Sequence, residues 1–205
     1  MKIQNLIYSQ LKLHLLMLEF KHNICRCFDL RYTNGEKQMK NQTKNLVMAS
    51  LLAALTCFAT MVIKIPSPLN GYINLGDCVV LLAGWLLNPM YGFLAAGIGS
   101  GLADLFSGYA SYAPATFLIK GLMALTAHYL FAMLKKGNKT AGRIISGFMA
   151  EAVMVGGYLL FESFLYGFVP SLANVLPNCI QGVAGLTIGI VLVDIFEKNN
   201  IFTAE

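Results

Sequence analysis

The residues of this chain that could do chemistry are a few polar side chains that interrupt long apolar stretches. They are Asp77, Asp104, Lys120, Glu162, Asn178 and Gln181. A charged side chain in such a background is costly to bury unless it is paired or faces a cavity. Carboxylates accept hydrogen bonds, the ammonium group donates them and amides do both. The set therefore predicts a binding site for a small polar ligand.

The elements that position these side chains are predicted to be membrane-spanning helices. The chain has 205 residues, of which 57% are hydrophobic and 12% charged, and its mean hydropathy is +0.62. A soluble domain has roughly 25% charged residues. At about 20 residues per span, the apolar part accommodates about six helices. We predict an all-α integral membrane fold with spans near residues 46–65, 75–87, 91–106, 115–134, 144–166 and 178–195.

Basic residues indicate the orientation of these spans. They cluster before the first span, between the fourth and fifth, and after the sixth, at Lys40, Lys44, Lys135, Lys136, Lys139, Arg143 and Lys198. Because positive residues accumulate on the cytoplasmic side, both termini are expected inside. This arrangement accounts for the net charge of +5 without a nucleic-acid partner. The loops 65–74, 107–114 and 167–177 then face outward.

Counting the helical rise of 1.5 Å per residue places the polar side chains in one layer near the outer face. Glu162 shares a helix face with Tyr158 and Tyr166, because the spacing is i, i+4 and i+8. Aromatic rings, amides and a carboxylate suit a small planar polar ligand, and the loop from Asn70 to Asn74 is expected to close over it. The candidate substrate contacts are Asn70, Tyr72, Asn74, Asp104, Lys120, Tyr158, Glu162, Asn178 and Gln181.

The same residues could instead have purely structural roles, and these alternatives stay open. Asp104 and Lys120 either shape the pocket or form a structural ion pair. The tyrosines near the outer loops also fit an interfacial aromatic belt. Glu151 and His128 lie deeper, where they could pair with each other.

The chain is predicted to form one domain with two flanking segments. Residues 1–38 differ in composition from the rest of the chain, and Met39 opens a natural start for a membrane protein, so we interpret 1–38 as an extension upstream of the true start. An interfacial helix over about residues 3–20 is the alternative. Residues 39–199 form the membrane domain, and 200–205 form a short tail.

Pairs of small residues four apart predict close helix packing. They are Ala49 with Ala53, Gly97 with Gly101, and Gly185 with Gly189. The alanine pair could instead contact a partner helix. The five scattered cysteines are not a disulfide framework, and the sequence contains neither a phosphate-binding loop motif nor a metal cluster. We expect no cofactor and no enzymatic activity.

The chain from Met39 to Lys198 resembles the substrate-binding S components of energy-coupling factor (ECF) vitamin transporters, in particular the hydroxymethylpyrimidine, pyridoxine and riboflavin-type subgroup. The resemblance rests on four stretches, which are Gly71-Tyr72-Ile73-Asn74-Leu75-Gly76-Asp77, Gly101-Leu102-Ala103-Asp104, Thr116-Phe117-Leu118-Ile119-Lys120-Gly121 and Pro177-Asn178-Cys179-Ile180-Gln181-Gly182, together with Gly157-Tyr158, Glu162 and Tyr166-Gly167.

The resemblance implies a six-helix protein of the bacterial plasma membrane that binds a B vitamin or precursor near the outer face. It also implies a transmembrane coupling subunit and two ATP-binding subunits as partners, with Ala49 and Ala53 docking on the coupling subunit. A riboflavin-specific S component is the alternative within the family. A stand-alone ion-coupled carrier with a proton site at Glu162 or Glu151 is the alternative outside it. A membrane enzyme acting on lipid is disfavoured because the sequence lacks a nucleophile–base pair and a metal set.

Overall fold

The structure is a computed structural model that describes residues 42–68 and 71–198. The predictions for residues 1–38, for the tail 200–205 and for Asn70 lie outside the described residues. Within them, the chain forms α1 (Gln42–Val62), followed by β1 (Lys64–Pro66), β2 (Tyr72–Asn74), α2 (Gly76–Leu86), α3 (Pro89–Phe106), α4 (Ala113–Leu134), α5 (Lys139–Tyr166), α6 (Phe168–Ser171), a 3-10 turn (Leu172–Asn174) and α7 (Val175–Lys198).

A two-stranded hairpin between α1 and α2 corrects the expectation of an all-α fold. The antiparallel strands pair Lys64 with Asn74, Ile65 with Ile73, and Pro66 with Tyr72. We expected this segment to be a loop because it contains proline. Proline is nevertheless tolerated in an edge strand, and both strands of a two-stranded sheet are edges. The predicted first span therefore ends too late, because its last two residues, Lys64 and Ile65, belong to β1.

Within residues 42–68 and 71–198, four helical segments are long and apolar enough to cross a membrane. They are Gln42–Val62, Ala113–Leu134, Lys139–Tyr166 and Phe168–Lys198. Helix α2 has 11 residues and is too short to span a bilayer by itself, and α3, whose sequence contains several glycines, falls outside this set. A mostly helical membrane fold is confirmed, and the count of six spans stays a prediction.

Two asparagines determine where α3 and α5 begin. Asn88 accepts a hydrogen bond from the Tyr91 backbone N–H at 3.1 Å, and Pro89 follows it in the first helical turn. Asn138 accepts from the N–H groups of Thr140 at 3.0 Å and Ala141 at 3.1 Å. Each side chain satisfies donors that a helix start leaves without intrahelical partners.

Helix α2 is the centre of the bundle. Its residues from Gly76 to Trp85 are all buried, and it packs against α3, α4 and α7. Helix α1 covers part of it through Ala49 and Leu52. The outer helix faces carry exposed apolar side chains such as Phe164, as expected for surfaces that contact lipid.

Small residues allow the close helix contacts, as predicted. A Cβ atom added at Gly97 would lie 2.8 Å from the Phe117 carbonyl of α4. A Cβ atom at Gly185 would lie 2.7 Å from Cβ of Asp77. On α1, Ala49 is buried against α2 and α3, and the Ala53 carbonyl lies against Gly99 of α3. Part of the alanine pair is therefore covered by the chain itself.

The tightest approach of α2 to α4 gives a stability prediction. An added Cβ at Gly84 would lie 2.6 Å from the Ala124 carbonyl and 2.9 Å from Cβ of Ala127. We expect Gly84→Ala to destabilise the protein by about 1–3 kcal/mol, because overpacking forces the helices apart. The measurement is the thermal unfolding midpoint in detergent.

Gly156→Ala is the matched control, since an added Cβ at this α5 position meets nothing within 4 Å. This change should leave the midpoint unchanged or raise it, because alanine is the better helix former by about 1 kcal/mol. Equal midpoints for the two variants would contradict the close α2–α4 contact.

Candidate ligand-binding site

A buried ion pair lies beneath the site. Asp77 lies in the first turn of α2, where a helix N-terminus favours a negative charge. Its carboxylate pairs with Lys120 of α4, and the side chains are 0% and 3% exposed. Gln181 of α7 donates from Nε2 to the second carboxylate oxygen at 2.7 Å. Three helices are thus joined at one carboxylate.

Gln181 connects this ion pair to the hairpin. Its Oε1 accepts from the Asn74 backbone N–H at 2.9 Å and lies 3.4 Å from Asn74 Nδ2. Asn74 Oδ1 in turn accepts from the Gly76 backbone N–H at 2.9 Å. Strand β2 is therefore held against α7 and against the start of α2.

A second set of contacts holds the hairpin to α3. The Tyr72 hydroxyl donates to Asp104 Oδ1 at 2.6 Å, and the Tyr72 and Tyr109 ring centroids are 4.9 Å apart. Lys64 donates to Ser107, and its Nζ lies 5.5 Å from the Tyr72 ring centroid. Burial, followed by the negative charge of Asp104, raises the pKa of Tyr72 well above its usual range, so the hydroxyl stays protonated and continues to donate.

Glu162 of α5 has one carboxylate oxygen that forms no hydrogen bond of good geometry, although the Tyr112 hydroxyl lies close to the carboxylate. Asn174 Nδ2 donates to Glu162 Oε1 at 2.7 Å. Glu162 Oε2 is buried without a hydrogen-bond partner among the described residues. Gly71, after the hairpin turn, lies over this pair, since a Cβ atom added there would be 3.8 Å from both Asn174 Nδ2 and Glu162 Oε1. A buried acceptor without a donor is costly, so this oxygen marks a position for a donor.

Aromatic side chains form another wall of the site. The Tyr158 hydroxyl donates to Thr116 Oγ1 at 3.1 Å, and Lys120 Nζ lies 5.5 Å from the Tyr158 ring centroid. The ring of Tyr112 packs edge-on against Phe161, with centroids 5.2 Å apart. The rings of Tyr112 and Tyr158 present flat surfaces, each with a hydroxyl group at its rim.

These groups enclose one cavity at the hairpin end of the bundle. Its lining comprises Ser67, Gly71, Tyr72, Asn74, Asp104, Tyr109, Tyr112, Thr116, Tyr158, Glu162, Asn174, Asn178 and Gln181. The space open to the centre of a water molecule is only about 30 Å³. A vitamin-sized ligand therefore requires lining side chains or the hairpin to move.

Seven of the nine residues predicted to contact substrate line this cavity. They are Tyr72, Asn74, Asp104, Tyr158, Glu162, Asn178 and Gln181. Lys120 does not line it and lies below, and Asn70 is outside the described residues. Lys120 pairs with Asp77 while Asp104 takes the Tyr72 hydroxyl, so of the two interpretations left open for Asp104 and Lys120, the structural ion pair between them is wrong.

The suggested pairing of Glu151 with His128 is also wrong. His128 Nδ1 lies 3.1 Å from the Gly84 carbonyl, so its partner is backbone rather than Glu151. Glu151 instead faces Gly182, Gly185 and Asp77. Depth along the helices matches for His128 and Glu151, but depth does not determine which way each helix face is turned.

The sequence placed Asp77 among the polar residues of the site without making it a substrate contact, and it gave no role to Thr116. Asp77 was visible as a rare charge, although its partners come from α4 and α7 and depend on the packing. Thr116 precedes Lys120 by four residues and so shares its helix face. That spacing was the available signal for Thr116.

A bundle of apolar helices with a polar, aromatic cavity at one end defines a membrane-embedded ligand-binding protein. Residues 40–198 match the family described as ECF-type riboflavin transporter, S component. The chain belongs to this family. It is a component of a vitamin transport system and not an enzyme, in agreement with the resemblance read from the sequence.

Two relatives are similar to this chain over most of their own length. An uncharacterized protein of Pyrococcus woesei is 38% identical over 132 residues, which cover 63% of this chain and 86% of that protein. The thiamine precursor transporter HmpT of Lactococcus lactis subsp. cremoris (strain MG1363) is 24% identical over 168 residues, which cover 80% of this chain and 95% of HmpT.

Solved structures share the fold. The S component of a bacterial ECF transporter superposes with a TM-score of 0.58 at 24% identity, covering 77% of this chain and 97% of that chain. The S component for biotin superposes with a TM-score of 0.57 at 17% identity, covering 78% of this chain and 93% of that chain. FolT bound with folic acid superposes with a TM-score of 0.55 at 18% identity, covering 72% of this chain and 92% of that chain.

The buried ion pair gives a second stability prediction. Lys120→Met should destabilise the protein by about 3–5 kcal/mol, because it leaves the Asp77 carboxylate buried without its counter-charge. The double change Asp77→Asn with Lys120→Met should recover most of this loss. The measurement is the thermal unfolding midpoint in detergent.

Lys135→Met is the control, since Lys135 is exposed at the far end of α4 and its replacement should have little effect. If Lys120→Met unfolded at the wild-type temperature, the ion pair would contribute nothing and the interpretation would be wrong.

Proposed function

We propose that this chain is the high-affinity substrate-binding subunit of an ATP-driven ECF importer for a B vitamin or precursor with one heteroaromatic ring. A hydroxymethylpyrimidine- or pyridoxine-like compound fits this description. The observation that carries the proposal is the cavity itself, which combines tyrosine rings, the Asn178 amide and the free Glu162 oxygen. Rings offer stacking surfaces and the polar groups set ligand orientation.

The small size of the cavity favours a single-ring ligand. A water molecule needs at least about 10–15 Å³ measured in this way, so 30 Å³ holds little more than one or two waters. A single ring requires a smaller rearrangement than the three fused rings of riboflavin. The similarity to HmpT, a thiamine precursor transporter, also favours the single ring. Riboflavin is the second candidate, because it appears in the description of the matching family.

The proposed partners are a transmembrane coupling subunit and two ATP-binding subunits. An apolar groove between α1 and α3 suits the coupling subunit, and its lining includes Ala49, Ala53 and Ile98. Lys135, Lys136 and Lys139 lie at the ends of α4 and α5 opposite the cavity. Under the positive-inside rule, the cavity then opens to the outside of the cell membrane with both termini inside.

The direct test is mass spectrometry of small molecules that copurify with the detergent-solubilised protein. We expect a pyrimidine or pyridine compound in stoichiometric amount. A copurified flavin would support the riboflavin alternative instead. A protein that carries no such compound and shows no thermal shift with any B vitamin would contradict the proposed function.

Asn178 provides a test of the cavity by mutation. It lines the cavity from α7 and is only partly exposed. We expect Asn178→Ala to weaken binding of the copurifying compound by about 10-fold, the equivalent of one hydrogen bond of about 1.4 kcal/mol. Calorimetric titration of the ligand-free protein measures the change.

Cys179→Ser is the matched control, because Cys179 is the next residue of α7 and does not line this cavity. Its affinity should equal that of the wild type. Equal losses in both variants would indicate a general disturbance of α7 rather than a ligand contact by Asn178.

A further inference from the structure

The charges that line the cavity are negative. Among the lining residues in the described part of the chain, the charged side chains are Glu162 and Asp104, which are 2% and 5% exposed. The two residues between the described ranges, Leu69 and Asn70, are uncharged by type. A ligand therefore enters a space whose fixed charges are two carboxylates.

The cations nearest to the cavity are already engaged. Lys120 pairs with Asp77 below the cavity. Lys64 donates to Ser107 and faces the Tyr72 ring from the hairpin, and neither lysine is among the lining residues. Both lysines act electrostatically on Asp104 and neither is among the groups that act on Glu162, so they do not offset the Glu162 carboxylate.

The two carboxylates differ in what they can accept. Asp104 Oδ1 takes the Tyr72 hydroxyl, which fixes the hairpin. Glu162 keeps Oε1 for Asn174, while Oε2 is buried without a hydrogen-bond partner among the described residues. The Tyr112 hydroxyl lies close to the Glu162 carboxylate but carries no charge, and its contact of hydrogen-bond geometry is to the Tyr166 hydroxyl at 3.4 Å. Glu162 Oε2 is thus the acceptor with the greatest need of a donor.

We propose that Glu162 selects the charge of the ligand, which deepens the proposed function and rests on it. The cavity takes a neutral or protonated heteroaromatic compound that donates an N–H group to Glu162 Oε2. It excludes the phosphate ester and carboxylate forms of the same ring. Like charges brought together without water repel strongly, and such repulsion is an effective means of rejecting related ligands.

The test compares three ligands that share one ring. The probes are hydroxymethylpyrimidine, its phosphate ester and its acetate ester, titrated calorimetrically into the wild-type protein. The acetate ester adds bulk at the same oxygen without a charge. We expect the phosphate ester to bind at least about 100-fold more weakly than the acetate ester, as for uncompensated like charges. Comparable exclusion of both esters would show that size decides, and would overturn the proposal.

Variants of Glu162 separate charge from structure. Glu162→Gln keeps an oxygen that can accept from Asn174 but removes the negative charge. It should weaken hydroxymethylpyrimidine binding by about 10-fold and reduce the discrimination against the phosphate ester by a similar factor. Glu162→Asp retains the charge and should retain the discrimination. An unchanged ratio in Glu162→Gln would overturn the proposal.

Two further measurements make a failure interpretable. Ser163→Ala changes the next residue of α5, which does not line the cavity, and should keep the wild-type affinities and discrimination. The unfolding midpoint of each variant reports whether it folds. If the wild type binds no B vitamin of any charge, the proposed function itself fails. If it binds the phosphate ester as tightly as the acetate ester, only the charge selection fails.

Discussion

The geometry of this protein depends on the buried pair of Asp77 and Lys120. Two charges inside an apolar bundle are tolerated only when each satisfies the other, and here the amide of Gln181 adds a third contact. Because the three side chains come from α2, α4 and α7, the requirement to satisfy them sets how these helices meet. Gly185 permits the contact, since a larger residue would displace Asp77.

The same network determines where the ligand-binding end lies. Gln181 donates a hydrogen bond to Asp77 and accepts one from the Asn74 backbone. The hairpin is therefore positioned by the core of the bundle. Tyr72 ties the hairpin to α3 through Asp104. The cavity between these contacts is lined by further polar and aromatic side chains, and Glu162 Oε2 is the acceptor without a hydrogen bond of good geometry among the buried carboxylate oxygens of the lining.

Membership of the S component family agrees with this division between frame and cavity. Solved relatives with quite different ligands, biotin and folic acid, share the fold at 17% and 18% identity. At such distances the fold persists although the ligands differ. The shared fold by itself therefore does not identify the ligand of this chain.

The sequence by itself determined the membrane class, the approximate helices and the layer that contains the polar side chains. Apolar length, prolines, glycines and helical rise are local properties, so Glu162, Asn178 and Gln181 could be placed together by counting along each helix. The tertiary structure decided the partners. Asp104 and Lys120 have matching depth, yet Lys120 turns to Asp77 and Asp104 to Tyr72, because helix rotation and the unexpected hairpin bring those atoms together. The rotation of each helix about its axis and the pairing of the strands depend on contacts between residues distant in sequence. Local sequence patterns do not reveal these contacts.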